Sequence, residues 1–177
     1  MKNLKYILVL FLSVSFFSCS DDSSSEPPFI LSNANIAGSY IINNLSISTD
    51  ITTSSNGIPI KVATASTQGD LFKVDVELLT NGTYTMKGSY TTVYKLTPVA
   101  GNAVETRDII NIDNSGDFTI NAVDETITFS NALIKDLTGT LEVKVFNKTS
   151  FSLFQEIDVP VAGNVEKIST NIGFTRQ

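Results

Sequence analysis

From residue 36 onward, apolar and polar side chains alternate in short segments separated by turn residues. The clearest segment sets Phe72, Val74, Val76 and Leu78 against Lys73, Asp75 and Glu77. A strand turns successive side chains to opposite faces, so this spacing predicts one face in a core and one in water. Asn81-Gly82 follows, and both residues tolerate positive φ, the strongest short hairpin signal in the chain. The return strand carries Tyr84, Met86, Gly88 and Tyr90 on one face and Thr83, Thr85, Lys87 and Ser89 on the other. Residues 71–94 are thus predicted to form a long hairpin.

Similar units recur along the chain. Gly38 to Ser48 reads as a first strand, and Ile58 to Ala65 as a second after a polar loop. Val104 to Ile112 leads to a predicted turn at Asp113-Asn114-Ser115-Gly116, and Asp117 to Ala122 leaves it. Thr126 to Asn131 follows a tight Asp124-Glu125 turn, and Ala132 to Leu137 has room for one helical turn at most. Gly139 to Phe146 and Ser150 to Ile157 flank Asn147-Lys148-Thr149, a further hairpin, and Val165 to Thr175 closes the series. No window supports a long amphipathic helix, so the fold class is all-β. Sequential hairpins with one apolar face predict an up-and-down antiparallel meander of 8–10 strands. Closing it into a barrel removes exposed edges; a two-sheet sandwich is the alternative.

The first residues follow another rule. Lys2 and Lys5 precede an apolar run, Tyr6 to Phe17, broken only by Ser13 and Ser15. A positive head, an apolar stretch too short to span a bilayer and a small residue before the cut describe an export signal over residues 1–18. The single cysteine of the chain, Cys19, stands at the cut position. This arrangement resembles a bacterial lipoprotein signal, which implies a diacylated Cys19 as the first mature residue and a membrane partner reached through that lipid. Residues 19–33, rich in serine and acid at first, are expected to be a disordered tether, leaving one domain over residues 34–177. Ser20-Asp21-Asp22 resembles the acidic export signal of Bacteroidetes-type lipoproteins, which implies the outer membrane and display at the cell surface; the periplasmic face is the alternative.

The chain has 12 basic and 18 acidic residues, a net charge of −6, and losing Lys2 and Lys5 with the signal takes this to −8. An acidic domain without a basic cluster repels phosphate backbones, which argues against nucleic acid. With Cys19 acylated no disulfide can form, yet about 150 residues can bury a core without one.

Two further motifs carry a family resemblance. Ile36-Ala37-Gly38-Ser39-Tyr40 resembles the Gly-x-Trp that opens the first strand of lipocalins, with tyrosine for tryptophan. Phe174-Thr175-Arg176 resembles the closing-strand arginine that packs over that first aromatic. Leu79 to Tyr84 resembles the turn common in lipocalin-like lipoproteins of the Bacteroidetes type. The resemblance covers about residues 34–177 and implies a calycin-type barrel, a Tyr40–Arg176 structural pair and an apolar ligand in the barrel mouth.

The chain contains no histidine, so nucleophilic systems built on serine–histidine or cysteine–histidine are impossible, as are histidine zinc sites. Asp113, Asp117, Asp124 and Glu125 could form a carboxylate pair, but aspartate favours turns for local reasons. Asp113 to Asp117 has oxygen ligands at alternating positions without the distant glutamate of a calcium loop, so a turn fits it better. The expectation is therefore no enzyme, no cofactor and no metal. Tyr40, Phe72, Tyr84, Tyr90, Phe118 and Phe129 lie on apolar faces and are the candidate ligand-binding residues. Whether they fill a solid core or line a cavity for a small apolar molecule is open at the level of sequence. The two functions weighed are a lipid-anchored binder of a small hydrophobic ligand and a displayed interaction domain with a filled core.

Overall fold

A computed structural model of the chain describes residues 29–134, 137–161 and 164–177. The expected signal peptide, residues 1–18, together with Cys19 and the acidic tract to Pro28, lies outside the described residues. Eight antiparallel strands follow one another: β1 (Gly38–Ser55), β2 (Ile58–Leu78), β3 (Thr83–Pro98), β4 (Val104–Asn121), β5 (Thr126–Ile134), β6 (Leu137–Phe146), β7 (Ser150–Val161) and β8 (Asn164–Arg176). Each pairs with its neighbours in sequence, and β1 also pairs with β8, which closes the barrel and excludes the two-sheet sandwich. One helical turn, α1 (Asn33–Ile36), precedes β1 and is N-capped by Ser32.

The 71–94 hairpin forms in the register that its alternation requires, with Val76 opposite Met86 and Leu78 opposite Tyr84. Only Gly82 of its turn takes a positive φ; the Asn81 side chain instead accepts from the Thr83 amide and hydroxyl. The same hairpin is longer than predicted. The stretch from Ile58 belongs to one strand, β2, bulged at Leu71, whose φ is 51°. The preceding polar stretch is no loop either, since β1 continues to Ser55 and turns through Asn56-Gly57, both at positive φ.

Three other expectations are corrected. Asp113 to Gly116 is no turn: it lies inside β4, where Asp113 faces Lys87 and Ser115 faces Thr85 across the ladder with β3. Non-local pairing along the whole of β3 overrides the local turn preference of Asp, Asn, Ser and Gly. The calcium-loop and carboxylate-pair readings of Asp113 and Asp117 fall with the turn, because both side chains point outward from a strand. Ala132 to Ile134 is strand rather than helix, and Leu137 already begins β6. The last part of the expected tether is seated on the barrel. Phe29 stacks on Phe146 at 4.8 Å, Leu31 is buried, and Ile36 of α1 is completely so. These three apolar side chains follow the acidic tract and have a hydrophobic face to cover.

Barrel closure is unequal along the axis. β4 meets β5 by backbone pairing only from Phe118 to Asn121, and β6 meets β7 only from Glu142 to Phe146. Above those pairs β4 and β7 run on, β4 back to Val104 and β7 forward to Val161, held by β3 and β8 respectively. The molecule thus has a closed end, where eight strands surround a core, and an open end, where β4-β3-β2-β1-β8-β7 continue as a curled sheet. α1, both described chain ends and the β2–β3, β4–β5 and β6–β7 turns belong to the closed end. Within residues 29–177 all eight strands close on one another and bury a common core, as an independently folding domain does.

Candidate functional site

The closed end is packed solid by the aromatics that alternation turns inward. The Tyr84 ring meets Phe129 edge-on at 5.1 Å, and Phe118 lies 6.2 Å from Phe129. Tyr40 meets Phe151 edge-on at 5.0 Å, and Phe151 stacks on Phe174 at 4.3 Å. Buried tyrosines need a partner for the hydroxyl. Tyr84 finds the Asn131 carbonyl, and Tyr40 donates to the Ile36 carbonyl at 2.7 Å. Tyr40, Tyr84, Phe118 and Phe129 are therefore core residues of the closed end, and none of them lines the recess described below. Strand number sets the bore of a barrel, and at this bore large rings from opposing strands meet and fill it.

Tyr40 and Arg176 are brought together. The guanidinium lies 5.1 Å above the Tyr40 ring, and its Nη2 donates to the Tyr40 hydroxyl and to the Asn35 carbonyl, both at 2.6 Å. Burial raises the Tyr40 pKa, and the neighbouring positive charge opposes that rise. The pair ties the last strand to the first and to α1 beneath it. Its chemistry is structural: Nη2 is spent on the Tyr40 hydroxyl and the Asn35 carbonyl, the hydroxyl also on Ile36, and the buried Nε has no hydrogen-bond partner among the described residues.

The candidate site lies where the closed barrel passes into the open sheet. A recess of about 220 Å³ is lined by Leu45 and Ile47 of β1, Thr67 of β2, Tyr90, Thr92 and Tyr94 of β3, and Asp108 and Ile110 of β4. Register explains their convergence. Ile47 faces Thr67, Thr67 faces Tyr94, Thr92 faces Asp108 and Tyr90 faces Ile110, so all share the inner face. Tyr90 stacks on Phe72 at 5.6 Å and forms the floor with Leu45. Burial raises the Tyr90 pKa, with no hydrogen bond contributing. Of the six predicted ligand-binding residues, only Tyr90 faces this recess, with Phe72 behind it.

Farther out the inner face stays largely apolar and becomes solvent-exposed. Tyr94, Val104 and Ile157 are 37%, 55% and 39% exposed, and the register puts all three on that face. Ligand pockets usually enclose ~300–1,000 Å³. The recess is thus large enough for one end of a molecule, and the trough above it offers apolar surface for the rest. A larger hollow of about 300 Å³ lies at the closed end beside Phe29 and Phe146, and the charged side chains Glu125 and Lys144 in its wall make it the weaker candidate for an apolar ligand.

Sequence reasoning missed Leu45, Ile47, Thr67, Thr92, Tyr94, Asp108 and Ile110. The extension of the Tyr84-to-Tyr90 face through Thr92 to Tyr94 was the available signal. Among the described residues, no group of three or more carboxylates or other ligating side chains could hold a metal ion. No family model, curated protein or solved structure matches the chain.

Proposed function

We propose that the protein is a lipid-anchored lipoprotein of the cell envelope whose open-ended barrel binds a small amphiphilic molecule, apolar part first, in the recess above Tyr90. The anchor rests on Cys19 at the end of the apolar run and on the acidic residues after it. The ligand rests on one observation: an inward recess of about 220 Å³, floored by Tyr90 and Leu45, that leads into an exposed apolar trough. Exposed apolar surface of this extent marks a contact with something else. Closed-end packing directs binding to the open end.

Two measurements test the two halves separately. Cys19→Ser should move the protein from the membrane fraction to the soluble fraction and abolish metabolic labelling by an alkyne-tagged fatty acid. Unchanged membrane association and labelling would remove the anchor. For the ligand, the segment 29–177 should retain extra mass in native mass spectrometry after gentle purification from a bacterial envelope. That mass should disappear on delipidation and be absent in Ile47→Glu. A clean apo mass with no uptake from a panel of long-chain amphiphiles would sink the binding reading. It would favour a displayed domain that meets a protein through the same exposed side chains, a reading supported by the filled closed end.

A further inference from the structure

The trough has a charge asymmetry that bears on what it accepts. In the open half, register sends Lys61, Lys95, Arg107 and Lys167 to the outer face. Lys61 pairs there with Asp50 at 2.6 Å, Arg107 with Glu105 at 3.2 Å and Lys167 with Glu156 at 2.9 Å. Lys95 sits opposite Ser66, on the side away from the Ala65–Leu96 pair. Among the described residues the inner face of this half carries the opposite sign only. Asp108 lines the recess, opposite Thr92, and Glu166 shares the inner face of β8 opposite Val159. No salt bridge of the described residues involves either carboxylate.

We infer that the trough is selective for a cationic amphiphile, a long-chain amine or quaternary ammonium, over the corresponding fatty acid. This rests on the binding reading above. The alkyl chain would occupy the recess and the apolar inner face. Its positive head would remain near Asp108, with the Tyr90 and Tyr94 rings available for cation–π contact. A fatty-acid carboxylate in the same position would stand beside a like charge with no cation among the described residues of that face to offset it, in a protein already net negative. Partial burial of the recess strengthens both effects relative to open water.

Calorimetric titration of the 29–177 segment with dodecylammonium, dodecanoate and dodecanol, each below its micellar concentration, tests this directly. The amine is expected to bind about tenfold or more tightly than the acid, with the alcohol between them. Raising salt to 0.5 M should narrow the gap. Asp108→Asn should remove most of the preference for the amine over the acid, and Glu166→Gln a smaller part. Equal or tighter binding of dodecanoate, or a preference untouched in both variants, overturns the charge inference while the alcohol still shows an occupied trough. Failure of all three probes overturns the trough as a binding site, and the charge inference with it.

Discussion

Gly88→Ala is expected to cost more than about 4 kcal/mol, a large part of the stability of an ordinary domain. Gly88 lies mid-strand in β3, opposite Val74 of β2 and Ile112 of β4, with φ of 141°. A β-carbon there would run into the Lys73 carbonyl oxygen and lie 2.8 Å from the Val74 Cα. Both obstacles are backbone, and β2 is held on its far side by β1, so neither can yield cheaply. Urea unfolding followed by far-ultraviolet circular dichroism reads the loss as a much lower midpoint or an insoluble product. Gly57→Ala is the control. Its φ of 80° is also unfavourable for alanine, but no atom comes within 4 Å of the new β-carbon. It should cost only ~1–2 kcal/mol. Equal midpoints for the two variants would show that the close approach of β2 to β3 is not what demands glycine at 88.

Arg176→Met should destabilise by about 3 kcal/mol and lower the melting temperature by roughly 6–12 °C. The substitution keeps much of the apolar stem but removes two hydrogen bonds and the cation above Tyr40. The Asn35 carbonyl loses its charged donor in a partly buried setting, whereas Tyr40 keeps its bond to Ile36. Tyr40→Phe removes one of the Arg176 contacts and leaves the ring, so it should cost less, ~1 kcal/mol. Differential scanning calorimetry separates the two. A drop below 2 °C for Arg176→Met would mean that the first and last strands are held by their backbone ladder alone.

What was legible and what was not follows from how each region is buried. The 71–94 hairpin could be read because Phe72 to Leu78 and Tyr84 to Tyr90 have a buried face and a wet face, and the alternation records the difference. The first hairpin could not. Thr49 to Ser55 has a single apolar side chain, Ile51, because the open end has water on both sides, so the run reads as a loop and Asn56-Gly57 as part of it. At Asp113 to Gly116, turn-forming residues sit in a strand, since long-range pairing with β3 outweighs local preference. The candidate site is hidden by a break in the pattern. On β4 the inward residues Thr106 and Asp108 are polar between inward Val104 and Ile110, while outward Ile109 is 74% exposed, so the alternation lapses where the strand lines the recess. The Gly38–Tyr40 start and the Arg176 end were visible as motifs, and the structure puts their side chains in contact. The packed interior between them depends on ring sizes meeting across the bore, which no linear pattern states.

Both described chain ends enter and leave at the closed end, and the trough opens at the other. With a lipid on Cys19, as proposed, the barrel would stand on its plugged base like a moored buoy. Strands such as the 18-residue β1, tilted as barrel strands are, would lift the opening on the order of 45 Å above the bilayer. On that arrangement Tyr90 lies part-way up, mid-strand in β3, and a molecule leaving the anchoring leaflet would cross water before reaching it. The supply would then be the aqueous phase or a carrier within it. Capture should depend on the concentration of the solute outside and not on the composition of the lipid underneath.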